Sequence, residues 1–202
     1  MYRCLVLAAA CLIALLVVPQ NAVRAGVIYF NLQGKAGFGL LPGNENHTPT
    51  GGPGSGGEIG AGIFLDDATN VLTINAGWGS ANGFTNLTGN ATAAHIHGPT
   101  ASGGVGSFTQ NAGVKYDIGG TTAGFSNSAS AGGWTNTQVS LTAQDVADLL
   151  AGRFYLNVHT TTNGGGEIRG NLVGVPEPSS LGLLMIFGLP VLVARKRAGS
   201  AL

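Results

Sequence analysis

Apolar and polar residues alternate in short runs along much of this chain, a pattern that predicts β-strands with one buried face. The clearest run, GIFLDDATNVLTINAGW at 62–78, has an apolar stretch followed by the turn-forming residues 66–70. After the turn, Leu72 and Ile74 alternate with Thr73, so the apolar side chains share one face of the strand. The segment predicts a β-hairpin whose loop has about five residues.

A second hairpin is predicted where RFYLNVHT (153–160) precedes EIRGNLV (167–173). If His159 pairs with Glu167, the constant index sum of antiparallel partners places Asn157 opposite Arg169. The same register pairs Tyr155 with Asn171 on a polar face, and on an apolar face Val158 with Ile168, Leu156 with Gly170 and Phe154 with Leu172. A shift of one residue would mix the two faces, so the pattern favours this register.

One short helix is predicted within LTAQDVADLLAG, residues 141–152. Thr142 is placed to cap the first turn, with Asp145 three positions later as in a capping box, and Gly152 ends the helix. The predicted apolar face consists of Val146, Leu149 and Leu150. Because the helix has only about two turns, we expect it to plug a sheet assembly and not to form a second layer.

Composition strengthens the β assignment. The chain of 202 residues contains 35 glycines, and charged residues make up only 9% of it, which suits short strands joined by tight turns. We therefore expect an all-β fold over residues 26–174, a single antiparallel Greek-key β-sandwich with one short helix. The segment 41–60, LPGNENHTPTGGPGSGGEIG, is rich in glycine and proline. We expect it to be a flexible excursion from the sheet.

The first 25 residues have the pattern of a secretory signal peptide. Arg3 precedes an apolar run over residues 4–18, and small residues occupy positions −3 and −1 of a cleavage site between Ala25 and Gly26. An uncleaved membrane anchor is the alternative, but the run is shorter than the ~20 residues that cross the hydrocarbon core. The signal predicts export, with signal peptidase as the first processing partner.

The tail, residues 175–202, contains three features in order. These are a proline-glutamate-proline motif, an apolar stretch over 181–194 and a basic cluster: Pro176, Glu177, Pro178, Arg195, Lys196 and Arg197. The tail resembles the PEP-CTERM sorting signal of Gram-negative bacteria. The resemblance implies that an exosortase removes the tail after transient anchoring in the inner membrane. A permanent C-terminal anchor is the alternative, which the short apolar stretch disfavours.

Charge and cysteine content limit the function of the middle of the chain. Residues 26–175 contain four basic and eight acidic residues, a net charge of −4. This balance argues against nucleic acid as a partner, because phosphate binding needs a basic surface. Both cysteines, Cys4 and Cys11, lie in the signal segment. The exported domain therefore has no disulfide, and its core alone must stabilise it.

Three histidines are the candidate chemistry of the middle of the chain. His95 and His97, in ATAAHIHGPT, share a face if that segment is a strand, so their imidazoles can bind one metal ion, copper or zinc. His159 can supply a third ligand, and Glu167 can orient one of the imidazoles. We assign no role to His47, which lies in the 41–60 segment.

The histidines also have a structural interpretation, which the sequence alone leaves open. In it they form a hydrogen-bonded network at a sheet edge and bind no metal. The other members of this network are the polar residues of the second hairpin, Asn157, Glu167 and Arg169.

Much of the middle of the chain resembles the CHRD domain, a module first defined in chordin and found in bacterial secreted proteins. The similarity lies in NLTGNATAAHIHGP (86–99), in residues 141–172 with YLNVHT and GEIRG, and in the hairpin at 62–78. Gly164 departs from the proline that usually follows the asparagine. The resemblance implies an extracellular β-sandwich that binds and does not catalyse, and it supplies no catalytic residues to carry over to this chain.

A looser similarity is to copper-zinc superoxide dismutases, in which a His-X-His strand holds copper. The other ligands of that enzyme have no counterpart here, so we do not expect its activity. The expected protein is instead a non-enzymatic structural or adhesive module of the cell surface or extracellular matrix, without a cofactor. Its expected partners are extracellular polysaccharide or other surface proteins. The alternative is an extracytoplasmic copper- or zinc-binding protein.

Overall fold

The computed structural model describes residues 26–176. In this range the chain forms eleven strands and one α-helix: β1 (Val27–Gly34), β2 (Gly37–Phe38), β3 (Gly56–Glu58), β4 (Ile63–Asp66), β5 (Val71–Trp78), β6 (Ala91–His97), β7 (Val114–Asp117), β8 (Phe125–Ser126), β9 (Gly133–Ser140), α1 (Ala143–Leu150), β10 (Tyr155–Thr160) and β11 (Ile168–Gly174). The predicted all-β class with one short helix is confirmed.

The strands join one antiparallel sheet in the order β7-β6-β10-β11-β1-β4-β5-β9-β8, with β2 added beside β1 and β3 beside β5. The sheet curls, because the two ends of this order meet. The N–H of Ala91 in β6 donates to the carbonyl of Asn127, just after β8, at 2.8 Å. The N–H of Leu87 donates to the carbonyl of Ala129 at 3.1 Å. Curling gives the sheet an inner face that can be buried throughout.

Both predicted hairpins form, and the second has the predicted register over most of its length. Strands β4 and β5 pair Asp66 with Val71, and strands β10 and β11 pair Asn157 with Arg169. The β10–β11 ladder ends at Val158 and Ile168, so it does not extend to His159 and Glu167 as the prediction assumed.

The inner face of the curled sheet carries the hydrophobic core. Alternate residues of β5, Leu72, Ile74 and Ala76, are fully buried. Two tryptophans fill the space near the meeting ends, where the rings of Trp78 and Trp134 contact edge to face at 5.2 Å. A tryptophan buries more apolar area than any other residue, so this pair is a main source of stability.

Helix α1 begins and ends as predicted. The hydroxyl oxygen of Thr142 accepts the N–H of Asp145 at 3.1 Å, which caps the first turn. Gly152 follows the helix with a left-handed φ of 70°. The predicted apolar face is partly wrong, because Leu149 is fully buried whereas Leu150 is 49% exposed. Consecutive helical residues point roughly 100° apart, and the sheet covers only the Leu149 side.

The 41–60 segment is tied to the sheet, which corrects the prediction of a flexible excursion. Its strand β3 pairs with β5, and Leu41 forms a β-bridge with Arg169. Asn44 is fully buried, and its side-chain oxygen accepts the N–H of Ala36 at 2.8 Å. A Cβ at Gly56 would lie 2.4 Å from the carbonyl oxygen of residue 77, so glycine is needed there for close backbone packing and not for flexibility.

Most of the two predicted processing signals lies outside the described residues. Gly26 and Pro176 border the described range, whereas the signal segment through Ala25 and the tail residues Glu177, Pro178, Arg195, Lys196 and Arg197 fall beyond it. Between residues 26 and 176, no helix has the length and apolar character needed to cross a membrane.

Candidate metal centre

Strands β6 and β10 bring the three predicted histidines together. They pair so that His95 lies opposite Asn157 and His97 opposite Tyr155, which places both imidazoles on the face that also carries His159. The ring centroids of His95 and His159 are 5.0 Å apart, and those of His95 and His97 are 5.4 Å apart. One nitrogen from each of the three rings lies within 4.8 Å of the other two.

Backbone carbonyls fix the tautomer of two of the rings. Nδ1 of His97 lies 2.9 Å from the carbonyl oxygen of Ala112, and Nδ1 of His159 lies 3.0 Å from that of Gly164. A carbonyl only accepts hydrogen bonds, so each Nδ1 carries the proton and each Nε2 keeps a lone pair. The Nε2 of His159 therefore accepts from Nδ1 of His95, at 3.1 Å. Proteins commonly orient metal-binding imidazoles in this way.

The Nε2 atom of His97 is the feature that a purely structural network leaves unexplained. His97 is 9% exposed, and its Nε2 is buried without a hydrogen-bond partner. An unsatisfied buried acceptor of this kind costs about 1–3 kcal/mol. Because its lone pair lies beside the His95–His159 pair, a shared metal ion would satisfy it.

The separations of the imidazoles suit one ion after a small adjustment. Nitrogens bound to one tetrahedral ion by bonds of ~2.0 Å stand roughly 3.3 Å apart. The bonded nitrogens of His95 and His159 already meet this separation, at 3.1 Å. Since the three ligand nitrogens all lie within 4.8 Å of one another, the remaining pairs must close by at most about 1.5 Å.

The surroundings keep the ligands in the form that binds metals. Burial lowers the pKa of His97, and the hydrogen bond to Ala112 only partly opposes this effect. Burial also lowers the pKa of His159, against the hydrogen bond to Gly164. Metals bind neutral imidazole, so both rings are available at neutral pH.

A stacked column supports His97 from the β10 and β11 side. The ring of Tyr155 lies parallel to the imidazole, with centroids 4.9 Å apart and planes 5° apart. The guanidinium carbon of Arg169 lies 3.6 Å from the centre of the Tyr155 ring. The Tyr155 hydroxyl accepts the N–H of Ala112 at 3.1 Å, so it also positions the residue whose carbonyl orients His97.

A family model described as the CHRD domain matches residues 38–172, about two-thirds of the chain and the whole of the histidine cluster. The chain belongs to the CHRD domain family. The resemblance seen in the sequence is thereby confirmed over this range. The chain has no significant match among curated proteins or among solved structures.

Arg169 is buried in the middle of the CHRD domain. Its strand, β11, lies between β10 and β1, and β10 lies between β6 and β11, so the predicted position at a sheet edge is wrong. Arg169 has no solvent exposure and donates to the carbonyl oxygens of Ser107 and Gln110 at 3.0 and 2.8 Å. The 3₁₀ turn Gly104–Thr109 thus covers the polar face of the β10–β11 hairpin of the CHRD domain.

Glu167 bonds to loops of the CHRD domain and not to an imidazole, which differs from the predicted role of orienting a histidine. Its carboxylate accepts hydrogen bonds from three segments, through the N–H of Gly54 at 2.8 Å, the N–H of Thr88 at 2.8 Å and the hydroxyl of Thr160 at 2.7 Å. Burial opposes ionisation, but these hydrogen bonds outweigh it and lower the pKa of Glu167. Glu167 therefore holds together the loops around the histidine cluster.

Asn157 and Glu45 form a second unsatisfied pair beside the cluster. Glu45 is 3% exposed and Asn157 5% exposed, and neither Oε1 of Glu45 nor Oδ1 of Asn157 has a hydrogen-bond partner. Both oxygens face Gly166, where an added Cβ would lie 2.7 Å from Glu45 and 2.5 Å from Asn157. Burial raises the pKa of Glu45 to about 7, although Arg169 and Lys35 act in the opposite direction.

Sequence reasoning assigned no role to Glu45 or His47, which the CHRD domain places near the cluster. The ring of His47 lies 3.5 Å from the position that a Cβ of Gly165 would occupy. Gly165 follows Gly164, whose carbonyl oxygen accepts the Nδ1–H of His159. Both positions result from packing of the 41–60 segment along the β10–β11 loop, as in the hydrogen bond from the N–H of Thr50 to Asn163, 113 residues away. No local pattern in the sequence signals a contact of that range.

Proposed function

We propose that the CHRD domain of this protein binds one transition-metal ion, copper or zinc, through His95, His97 and His159. The observation that carries the proposal is the buried Nε2 of His97, which has no partner and lies beside the His95–His159 pair. Imidazole nitrogens suit both metals. Binding moves the proton between His95 and His159 from Nδ1 of His95 to its Nε2. Metals bind neutral imidazole, and protonation of the rings competes with the ion, so the affinity for the metal falls in acid.

Elemental analysis tests this proposal. The full-length protein, purified in detergent with an affinity tag that contains no histidine, is exposed to copper or zinc and then dialysed. We expect one ion per chain, and loss of that ion in His97→Ala. The matched control is His47→Ala, which removes a histidine beside the site and keeps the metal. A folded His97→Ala protein, checked by circular dichroism, that retains stoichiometric metal would contradict the proposal, as would a wild-type protein without metal.

We further infer that the domain works outside the cytoplasm, on the cell surface or in the extracellular matrix of a Gram-negative bacterium. The signal-like first 25 residues and the PEP-CTERM-like tail support this inference, with signal peptidase and an exosortase as processing partners. The described ends also lie close together, since the N–H of Val175 donates to the carbonyl of Tyr29 at 2.8 Å. Mass spectrometry of the mature protein should find Gly26 first and the tail removed. Mature protein with both ends intact in the inner membrane would overturn the inference.

A structural or adhesive surface module without catalytic activity is the second candidate function. One observation favours it: the outer face of β1 and β4 exposes Tyr29 to 52%, with its ring 5.9 Å from that of Phe64. Beside Phe64 lies a shallow pocket of about 260 Å³ whose lining includes Thr73, Asn136 and Gln138. Aromatic rings beside amide and hydroxyl groups suit polysaccharide. Co-sedimentation with extracellular polysaccharide should be lost in Tyr29→Ala, and unchanged binding would exclude this face.

We also propose that the curled sheet is a Greek-key β-sandwich. Its support is the strand order, in which β1 lies between β11 and β4 and β9 lies beside β5. An experimental structure that showed an open sheet, without contact between its two ends, would contradict it.

A further inference from the structure

We propose that Asp117 is a positioning residue for the metal site: with metal bound, its carboxylate accepts the Nε2–H of His95. The inference rests on the proposed metal site and adds to it a residue that neither the sequence pattern nor the histidine cluster singled out.

Two of the three imidazoles have an anchor on the nitrogen that faces away from the cluster. The Nδ1–H groups of His97 and His159 donate to the carbonyls of Ala112 and Gly164. His95 is turned the other way, because its Nδ1 faces the cluster and bonds His159. Its remaining nitrogen, Nε2, lies on the far edge of the ring. A metal-binding imidazole whose other nitrogen has no anchor is free to rotate, which weakens the site.

Strand β7 supplies the group that fits this position. In the antiparallel pairing of β6 with β7, Asp117 lies directly opposite His95, so both side chains stand on the same face. Opposed residues in such a pair have Cβ atoms about 4.5–5.5 Å apart. When Nδ1 of His95 donates to His159, its Nε2 carries no proton, and no oxygen of Asp117 lies within 4.0 Å of that nitrogen. Metal binding moves the proton to Nε2, and rotation of the Asp117 side chain then brings a carboxylate oxygen to it. Strand β6, which carries His95, lies between β10 and β7. His159 occupies the β10 side of the His95 ring, and Asp117 lies on its β7 side.

The carboxylate of Asp117 has a free oxygen for this bond. Its Oδ1 accepts the N–H of Gly119 at 3.0 Å, which fixes the side chain in a turn at the end of the strand. The other oxygen makes no hydrogen bond within the described residues, and Asp117 is exposed. A carboxylate that holds a metal-binding imidazole also raises the basicity of that ligand and offsets part of the charge of the ion.

The charges around the cluster make this carboxylate more important. His47 stands beside Gly165, and the guanidinium of Arg169 stacks on Tyr155 behind His97. The buried carboxyl of Glu45 lies on this side too, but its Oε1 faces Gly166 and has no hydrogen bond to an imidazole. Glu167 is directed to Thr88 and Thr160. Asp117 is thus the acidic side chain that the sheet pairing places opposite a ligand.

The test compares the metal affinity of the wild-type protein with those of Asp117→Asn and Asp66→Asn, all full-length. Asparagine keeps an oxygen for the N–H of Gly119 and removes the charge, so the fold is retained. Asp66→Asn is the matched control, because Asp66 also caps a local turn, through the N–H of Ala68 at 2.9 Å, but lies on β4. Zinc affinity is measured by competition with a chromophoric chelator at several pH values.

We expect the zinc affinity of Asp117→Asn to fall about 10- to 100-fold, with one ion still bound at saturation and Asp66→Asn unchanged. In nitrogen-15 NMR spectra of the zinc-loaded protein, the Nε2–H of His95 should exchange slowly with water in the wild type and rapidly in Asp117→Asn. Wild-type affinity and slow exchange in Asp117→Asn would overturn the role of Asp117 and leave the metal site intact. Complete loss of metal in Asp117→Asn would also overturn it, because Asp117 would then be a direct ligand. A wild-type protein that binds no zinc or copper contradicts the proposed function itself.

Discussion

At the scale of single residues, three buried side-chain atoms within residues 26–176 have no hydrogen-bond partner: Oε1 of Glu45, Nε2 of His97 and Oδ1 of Asn157. All three lie on or against one face of the β6–β10–β11 sheet. The proposed metal ion would satisfy the His97 atom. The Glu45 and Asn157 oxygens both face Gly166, and both are acceptors when Glu45 is ionised, so ionisation leaves two buried acceptors there. Burial raises the pKa of Glu45 to about 7.

Glu45 should make the protein less stable as the pH rises towards neutral. The pKa of Glu45 is about 7 in the folded protein against 4.5 for the ordinary carboxyl. The folded state therefore holds the proton more tightly, and its contribution is complete below pH ~4.5 and lost as the pH rises to ~7. The difference in unfolding free energy between wild type and Glu45→Gln should change by about 3 kcal/mol between pH 4.5 and 8.

Urea titrations of both proteins across this pH range measure that difference. Taking the difference cancels the opposite contribution of the buried histidines, whose lowered pKa values favour folding at higher pH. A difference that does not vary with pH would show that Glu45 ionises as an ordinary surface carboxyl does.

At the scale of elements, the short helix shows how position on a helix face decides energetic weight. Leu149 has no exposure and belongs to the main core cluster, whereas its neighbour Leu150 is 49% exposed. The buried polar residue of the first turn, Asp145, is paired with Lys115 at 2.7 Å. Burial would raise the pKa of Asp145, but hydrogen bonds from Lys115, Tyr116 and Thr142 lower it to about 2. Leu149 and the ion pair of Asp145 with Lys115 therefore both fasten the helix to the sheet.

Replacing the two leucines of α1 one at a time should separate their roles. Leu149→Ala is expected to cost about 2–5 kcal/mol of unfolding free energy, because it removes buried methyl groups and leaves a cavity. Leu150→Ala should change stability by less than about 0.5 kcal/mol, since its side chain is largely in solvent. Chemical denaturation measures both values. Equal losses in the two variants would mean that the helix turns both leucines towards the core.

At the scale of the whole molecule, stability depends on the curled sheet closing on itself. The described domain contains no cysteine, so packing and hydrogen bonds between the two ends of the sheet replace covalent closure. Trp134 of β9 contributes to both, because its ring packs on Trp78 and its Nε1–H donates to the carbonyl of Ile118 at 2.9 Å. Ile118 follows β7, at the other end of the strand order.

Trp134→Phe should therefore destabilise the domain by about 2 kcal/mol or more. The substitution leaves the buried carbonyl of Ile118 without its donor and removes part of a fully buried ring. Phe38→Ala is the control, because Phe38 is 68% exposed and its loss should matter little. Thermal unfolding of both variants measures the effect. A Trp134→Phe protein as stable as the control would show that the ends of the sheet contribute little by meeting.

Several parts of the structure could be predicted because their causes are local. The Asn157–Arg169 register follows from alternation within one hairpin, and the Thr142 cap follows from residues three positions apart. The shared face of His95 and His97 follows from the period of a strand. Bringing His159 to them required only the expectation that two strands would pair.

The sequence by itself determined the class of fold, the existence of both hairpins, the register of the second hairpin and the candidate ligands, because each depends on neighbours along the chain. Tertiary structure alone decided that the 41–60 segment packs on the β10–β11 loop, that Leu150 faces solvent and that Asp117 stands opposite His95. It also decided that the polar face of the hairpin is buried. The physical reason is distance along the chain: which segment covers a face depends on how the whole sheet curls, and no short stretch of residues encodes that.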